Sequence, residues 1–122
     1  MKIKLSDILK DAKTVAISGH IRPDGDCVGS CIGLYLYIKQ EFPEVQADVY
    51  LEEIRDSFKF LEGTDKILHS CEEDKEYDLF IALDSGDKER LGASAKYFDT
   101  AKRTVCIDHH ISNPGYAQAN YI

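Results

Sequence analysis

Three short apolar runs set the rhythm of the chain. Thr14 to Ser18 (TVAIS), Asp78 to Leu83 (DLFIAL) and Arg103 to Ile107 (RTVCI) are almost wholly apolar. Runs of that length suit strands buried on both faces, as in a parallel sheet. Val45 to Leu51 alternates instead, with Val45, Ala47, Val49 and Leu51 on one face, and reads as a further strand. Val28, Cys31, Ile32, Leu34, Tyr35 and Ile38 recur at three and four. That spacing predicts a helix from Cys27 to about Phe42, ended by Pro43. Gly29 and Gly33 lie on one face of it, which predicts a close approach of the helix to the sheet. Leu5, Ile8, Leu9 and Ala12 predict a helix over Leu5–Ala12, with Ser6 as its cap.

Residues 52–76 are less regular. Ile54, Phe58 and Leu61 sit at helical spacing with Gly63 as a stop, and Lys66 to Cys71 reads as a short strand or turn. Glu72 to Glu76 reads as a solvated acidic loop, and residues 88–101 as a helix interrupted at Gly92. The alternation of strand and helix predicts an α/β fold, a layered and mainly parallel sheet flanked by helices with right-handed crossovers. In open sheets of this kind, ligands gather beyond the carboxyl ends of the strands.

All three buried runs end in polar residues. The first continues as ISGHIRPDGDCVGS, bringing His20, Asp24 and Asp26 together; the second ends in Asp84; the third runs into Asp108, His109 and His110. Each cluster has an ordinary explanation in isolation. Asp26 reads equally as an N-cap with Asp24 merely solvated, and Asp84 as a turn former. Together they make a mixed imidazole and carboxylate set that suits Mn²⁺, Fe²⁺, Co²⁺ or Zn²⁺. The number of carboxylates favours two ions bridged by one of them, since a single ion would leave several acids mutually repelling. The chemistry expected of such a pair is hydrolysis of a phosphoester. No GxSxG elbow supports a serine nucleophile.

Composition narrows the partners. With 122 residues, the chain is long enough for one domain with a real core. A net charge of −7 argues against binding extended duplex nucleic acid, which needs a basic surface. No apolar run is long enough to span a bilayer, so no membrane partner is expected. Cys27, Cys31, Cys71 and Cys106 form no CxxC pair, and they read as reduced thiols of a cytoplasmic protein. Cys27 and Cys31, one helical turn apart, read as core packing rather than a metal pair. Tyr35 falls on the buried stripe, Tyr37 and Tyr50 have no assigned place, and His69 reads as incidental. Asp87, Glu89 and Lys88 go to solvent; Arg22 and Arg90 face either a phosphate or a surface ion pair.

HIRPDGDCVGS, ALDSGDKERLG and IDHHISN, in that order, resemble the three motifs of the DHH phosphoesterase family. The resemblance covers nearly the whole chain and implies two divalent ions, usually Mn²⁺. By it, His20, Asp24 and Asp84 would hold one ion, and Asp26, Asp84 and His109 the other. His110 would face the substrate phosphate, and Asp108 would orient the cluster. The motifs look most like those of bifunctional enzymes that trim very short RNAs and dephosphorylate 3′-phosphoadenosine 5′-phosphate. Single-strand exonucleases, cyclic-dinucleotide phosphodiesterases, exopolyphosphatases and type II pyrophosphatases are also relatives. A non-catalytic module that senses a nucleotide or metal is the alternative. The family also carries a fourth motif and a C-terminal substrate-binding domain, neither of which falls within residues 1–122. The chain is therefore expected to be a truncated N-terminal domain that binds metal weakly and is inactive alone; an oligomer is compatible with it.

Overall fold

The computed structural model describes residues 4–109 and 112–121. It runs α1 (Leu5–Ile8), β1 (Thr14–Ser18), α2 (Gly25–Glu41), β2 (Gln46–Tyr50), β3 (Leu79–Leu83), α3 (Ala95–Thr100), β4 (Arg103–Ile107) and β5 (Ala119–Tyr121). Single 3-10 segments lie at Asp56–Phe58, Thr64–Lys66 and Glu89–Ser94. The strands form one sheet in the order β2-β1-β3-β4-β5, and every pairing is parallel.

The period of two along the central strands sorts their side chains into two cores. Val15, Ile17, Leu79, Ile81 and Leu83 face α2 and pack with Val28, Ile32 and Ile38. Ala16, Phe80 and Ala82 face the other way and pack with Leu91, Tyr97 and Phe98. Each Ile or Leu removed from water this way contributes about 1.5–3 kcal/mol. Tyr50, with no place assigned by sequence, belongs to the second core; its ring stacks on Tyr97 at 4.5 Å, and Tyr77 donates its hydroxyl hydrogen to Asp48 at 2.6 Å. The start of the sheet is pinned by Asp78. Its carboxylate accepts from the amides of Lys13 and Thr14 at 2.8 and 3.2 Å, and its own amide donates to the Thr14 hydroxyl at 3.0 Å.

Several expectations need correction. The first helix closes after Ile8, and Lys4 rather than Ser6 stands at its N-cap position. The only helical segments within residues 52–76 are 3-10 turns, and Gly63, at φ 93, begins one of them rather than ending a helix. Leu68 forms a parallel bridge with Tyr50, the short strand-like contact expected there. Gly29 and Gly33 do not face the sheet: both are exposed, and an added Cβ on either would meet nothing within 4 Å. The close approach is at Gly19, where a Cβ would sit 2.2 Å from Cys27 Sγ and 3.0 Å from the Leu83 carbonyl oxygen. Strand β5 was not foreseen, because three half-exposed residues carry too little pattern.

The strand order places the site. The chain leaves β1 toward β2 on one side, then crosses back to β3 on the other. The crevice between the carboxyl ends of β1 and β3 is therefore the switch point at which such sheets bind ligands.

Candidate metal centre

His20 is the second residue beyond β1, and its ring is fixed from behind. Nδ1 lies 2.6 Å from the Ile21 carbonyl, which can only accept, so Nδ1 carries the proton. Nε2 is left facing the crevice, 3.6 Å from Asp24 Oδ1 and 3.6 Å from Asp84 Oδ2. Burial pulls the His20 imidazole down, but the Ile21 hydrogen bond and the charges of Cys27, Asp24 and Asp84 outweigh it, and the net shift is upward.

Asp84 follows β3 directly and is itself buried. Its backbone is left-handed, at φ 53, a conformation aspartate tolerates better than most side chains. Its amide donates to the Ile107 carbonyl at 3.1 Å, so the ladder between β3 and β4 continues into the site. Asp84 Oδ1 lies 3.3 Å from Nδ1 of His109, which follows β4 and is mostly exposed. Asp108 is buried and accepts at Oδ2 from Asn113 Nδ2 at 2.8 Å. Asn113, in the turn before β5, was not singled out by sequence as a site residue.

Two sets of potential ligand atoms converge, each within 4.8 Å: His20, Cys27 and Asp84, and Asp84, Asp108 and His109. Asp84 belongs to both. Asp24 and Asp26 stand outside these compact sets but line the same cleft, of about 560 Å³, with His20, Asp84 and His109. The cap at α2 is Asp24, not Asp26: Asp24 Oδ1 accepts from the Cys27 amide at 2.9 Å. That bond, aided by His20, holds its carboxyl below the usual range against a small desolvation effect. Asp26 is exposed in the first helical turn. His110 lies outside the described residues.

Asp87, assigned to solvent by sequence, lines the cleft and accepts from the Arg90 amide at 2.9 Å. Arg90 is the only arginine or lysine among the described residues lining that cleft. Lys88 turns away, pairing with Asp99 and lying over Phe98. His69 bonds the Leu51 carbonyl at 2.9 Å, in keeping with an incidental role. Cys27 belongs to the core, as read from the sequence, and its sulfur also lies within the first set of potential ligand atoms, a proximity that its position one residue after Asp26 signals. Its hydrogen bond with Cys31 holds the Cys27 thiol below the usual range against burial, and pushes Cys31 well up. The potential donors are nitrogen and oxygen with one buried sulfur, grouped around Asp84, and the set fits divalent transition metals.

Residues 14–122 match the family model described as "DHH family, N-terminal domain". The chain is 29% identical over 118 residues to the Streptococcus mutans protein named "Probable bifunctional oligoribonuclease and PAP phosphatase NrnA", covering 93% of this chain and 35% of that one. It is 26% identical to the Thermus thermophilus bifunctional oligoribonuclease and PAP phosphatase NrnA, over 97% of this chain and 35% of the relative. The chain thus spans about a third of the length of the curated relatives it matches. A crystal structure of an exopolyphosphatase-related protein from Bacteroides fragilis superposes with a TM-score of 0.80 at 22% identity, covering 95% of this chain and 36% of that one. That likeness shows the fold. No helix among the described residues is long and apolar enough to cross a membrane.

Proposed function

The chain belongs to the DHH family, and on that premise we propose that it forms the metal-binding part of a phosphoesterase acting on short oligoribonucleotides or 3′-phosphoadenosine 5′-phosphate. The observation that carries this reading is the sharing of Asp84 between two ligand sets at the switch point of the sheet. His20, Asp24 and Asp84 would hold one ion, and Asp26, Asp84 and His109 the other, with Mn²⁺ the expected metal. When bound, such a pair supplies an activated water and Lewis-acid charge at a phosphoryl oxygen.

The chain's own groups prepare that chemistry. His20 keeps its proton on Nδ1, donated to the Ile21 carbonyl, and so presents Nε2 to the crevice. Asp24 stays ionised through its helix-capping bond. Asp108, held by Asn113, orients the ligands after β4. Arg90 offers a planar, permanently charged donor to a phosphate in a cleft otherwise rich in carboxylates. Substrate choice belongs to a second domain, which the family resemblance implies in a longer protein. The four free thiols fit a cytoplasmic setting.

The test has two arms. Calorimetry with Mn²⁺ on the 122-residue chain should show uptake that Asp84→Asn loses. The natural-length protein should hydrolyse a dinucleotide or 3′-phosphoadenosine 5′-phosphate only with a divalent metal. Metal-independent hydrolysis, or unchanged turnover in Asp84→Asn, overturns the reading.

A further inference from the structure

Cys27 has no role in the ligand assignment just given, yet its sulfur lies inside the first ligand set. It is fully buried near the start of α2, and its Sγ, a ring nitrogen of His20 and a carboxylate oxygen of Asp84 lie within 4.8 Å of one another. Gly19 accounts for the sulfur's position. A Cβ there would stand 2.2 Å from Cys27 Sγ and 3.0 Å from the Leu83 carbonyl, one residue before Asp84. The space left by the missing Gly19 side chain is therefore filled by the sulfur, between the ends of β1 and β3.

Resting on the two-position reading above, we propose that Cys27 is a thiolate ligand to the ion held by His20 and Asp84. Loading moves the thiol proton to solvent, because the thiolate is the ligand form. The second set, Asp84, Asp108 and His109, contains no sulfur. The two positions then differ in softness. The first prefers Zn²⁺ or Co²⁺, while the second accepts Mn²⁺ through oxygen and imidazole alone. The competing explanation is that Cys27 is only a small apolar residue packed under the sheet.

Co²⁺ separates the two, because a thiolate bound to it gives an intense charge-transfer absorption in the near ultraviolet. Titrating the 122-residue chain with Co²⁺ should produce that band together with the weaker visible bands of a bound ion. Cys27→Ser should lose the charge-transfer band and weaken Zn²⁺ relative to Mn²⁺ by at least about tenfold, as a lost ligand should cost no less than a lost supporting contact. Cys31→Ser, Cys71→Ser and Cys106→Ser should each keep the band. Visible bands without charge transfer in the unaltered chain overturn the thiolate and leave the two-position reading standing. Absence of any Co²⁺ uptake overturns both. A band retained in Cys27→Ser assigns the sulfur elsewhere and also overturns the proposal.

Discussion

The amide of Ile21 donates to the carbonyl of Arg90 at 2.6 Å. This one bond ties the loop after β1 to the loop after β3, and so sets the distance between His20 and the residues around Asp84. Gly92 permits it. Its backbone is at φ 62, ψ −133, and a Cβ there would lie 2.5 Å from Ile21 Cγ2.

Gly92→Ala should therefore strain both loops at once. The expected cost is about 1–3 kcal/mol of stability, from a non-glycine residue in that backbone region. Urea denaturation should show a lower midpoint at an unchanged slope, and Mn²⁺ affinity should fall with it. An alanine variant as stable as the parent would mean that the Ile21 side chain moves aside freely.

Asp84→Asn should remove metal uptake while keeping the fold, since asparagine also tolerates φ 53. In the parent, free Mn²⁺ at 100 times its dissociation constant should stabilise the chain by about 2.7 kcal/mol. Thermal melts with and without Mn²⁺ measure this directly. The parent should gain stability and the variant should not; equal gains in both would mean the ion binds elsewhere.

Much of the frame was legible because β1, β3 and β4 are dense apolar runs whose period and length allow one reading, and the site residues follow them immediately. The glycine assignment shows what sequence hides. Gly29 and Gly33 carry a helical spacing that points to helix-on-sheet contact, yet they face solvent. Gly19 carries no pattern at all, and its role exists only because β1, β3 and α2 meet there. Cys27 sits in the core, as its place beside a buried helix stripe implies; its nearness to His20 and Asp84 exists only across the sheet and carries no sequence pattern. Asn113 was hidden by its place in a polar turn, where such residues are common.

The two kinds of glycine should respond in opposite directions. Gly29→Ala adds a methyl to open space on an exposed helix face and should stabilise by up to about 1 kcal/mol. Gly19→Ala drives a methyl into a sulfur and a backbone carbonyl and should cost about 1–3 kcal/mol. Denaturant midpoints of the two single variants, measured side by side, decide it. Similar shifts in both would contradict the packing described.

Asp78 links stability to pH. The amide of Lys13 first, then that of Thr14 and the charge of Lys102, hold its carboxyl below the usual range despite slight desolvation. A carboxyl with a depressed folded value contributes stability that is fully present above its unfolded value, about 3.9, and is lost as pH falls through the folded one. Asp78→Asn should therefore cost about 1–2 kcal/mol at neutral pH, from weakened charge-assisted hydrogen bonds. The gap to the parent should narrow as the buffer is taken below pH 4. A constant gap across that window in thermal melts would assign the effect to shape rather than charge.

The switch point carries one more consequence, for the order of events in the life of the chain. Val15 pairs with Leu79 and Leu79 with Arg103, so no hairpin brings His20, Asp84 and His109 near one another early. Parallel pairings between distant segments form slowly, because the loop must close before any contact rewards it. A nascent or unfolded chain holds these three side chains scattered and would offer an ion no shared grip. On the proposed reading, loading is a late event that acts on a finished sheet, and a chelator should empty the crevice while leaving the framework standing.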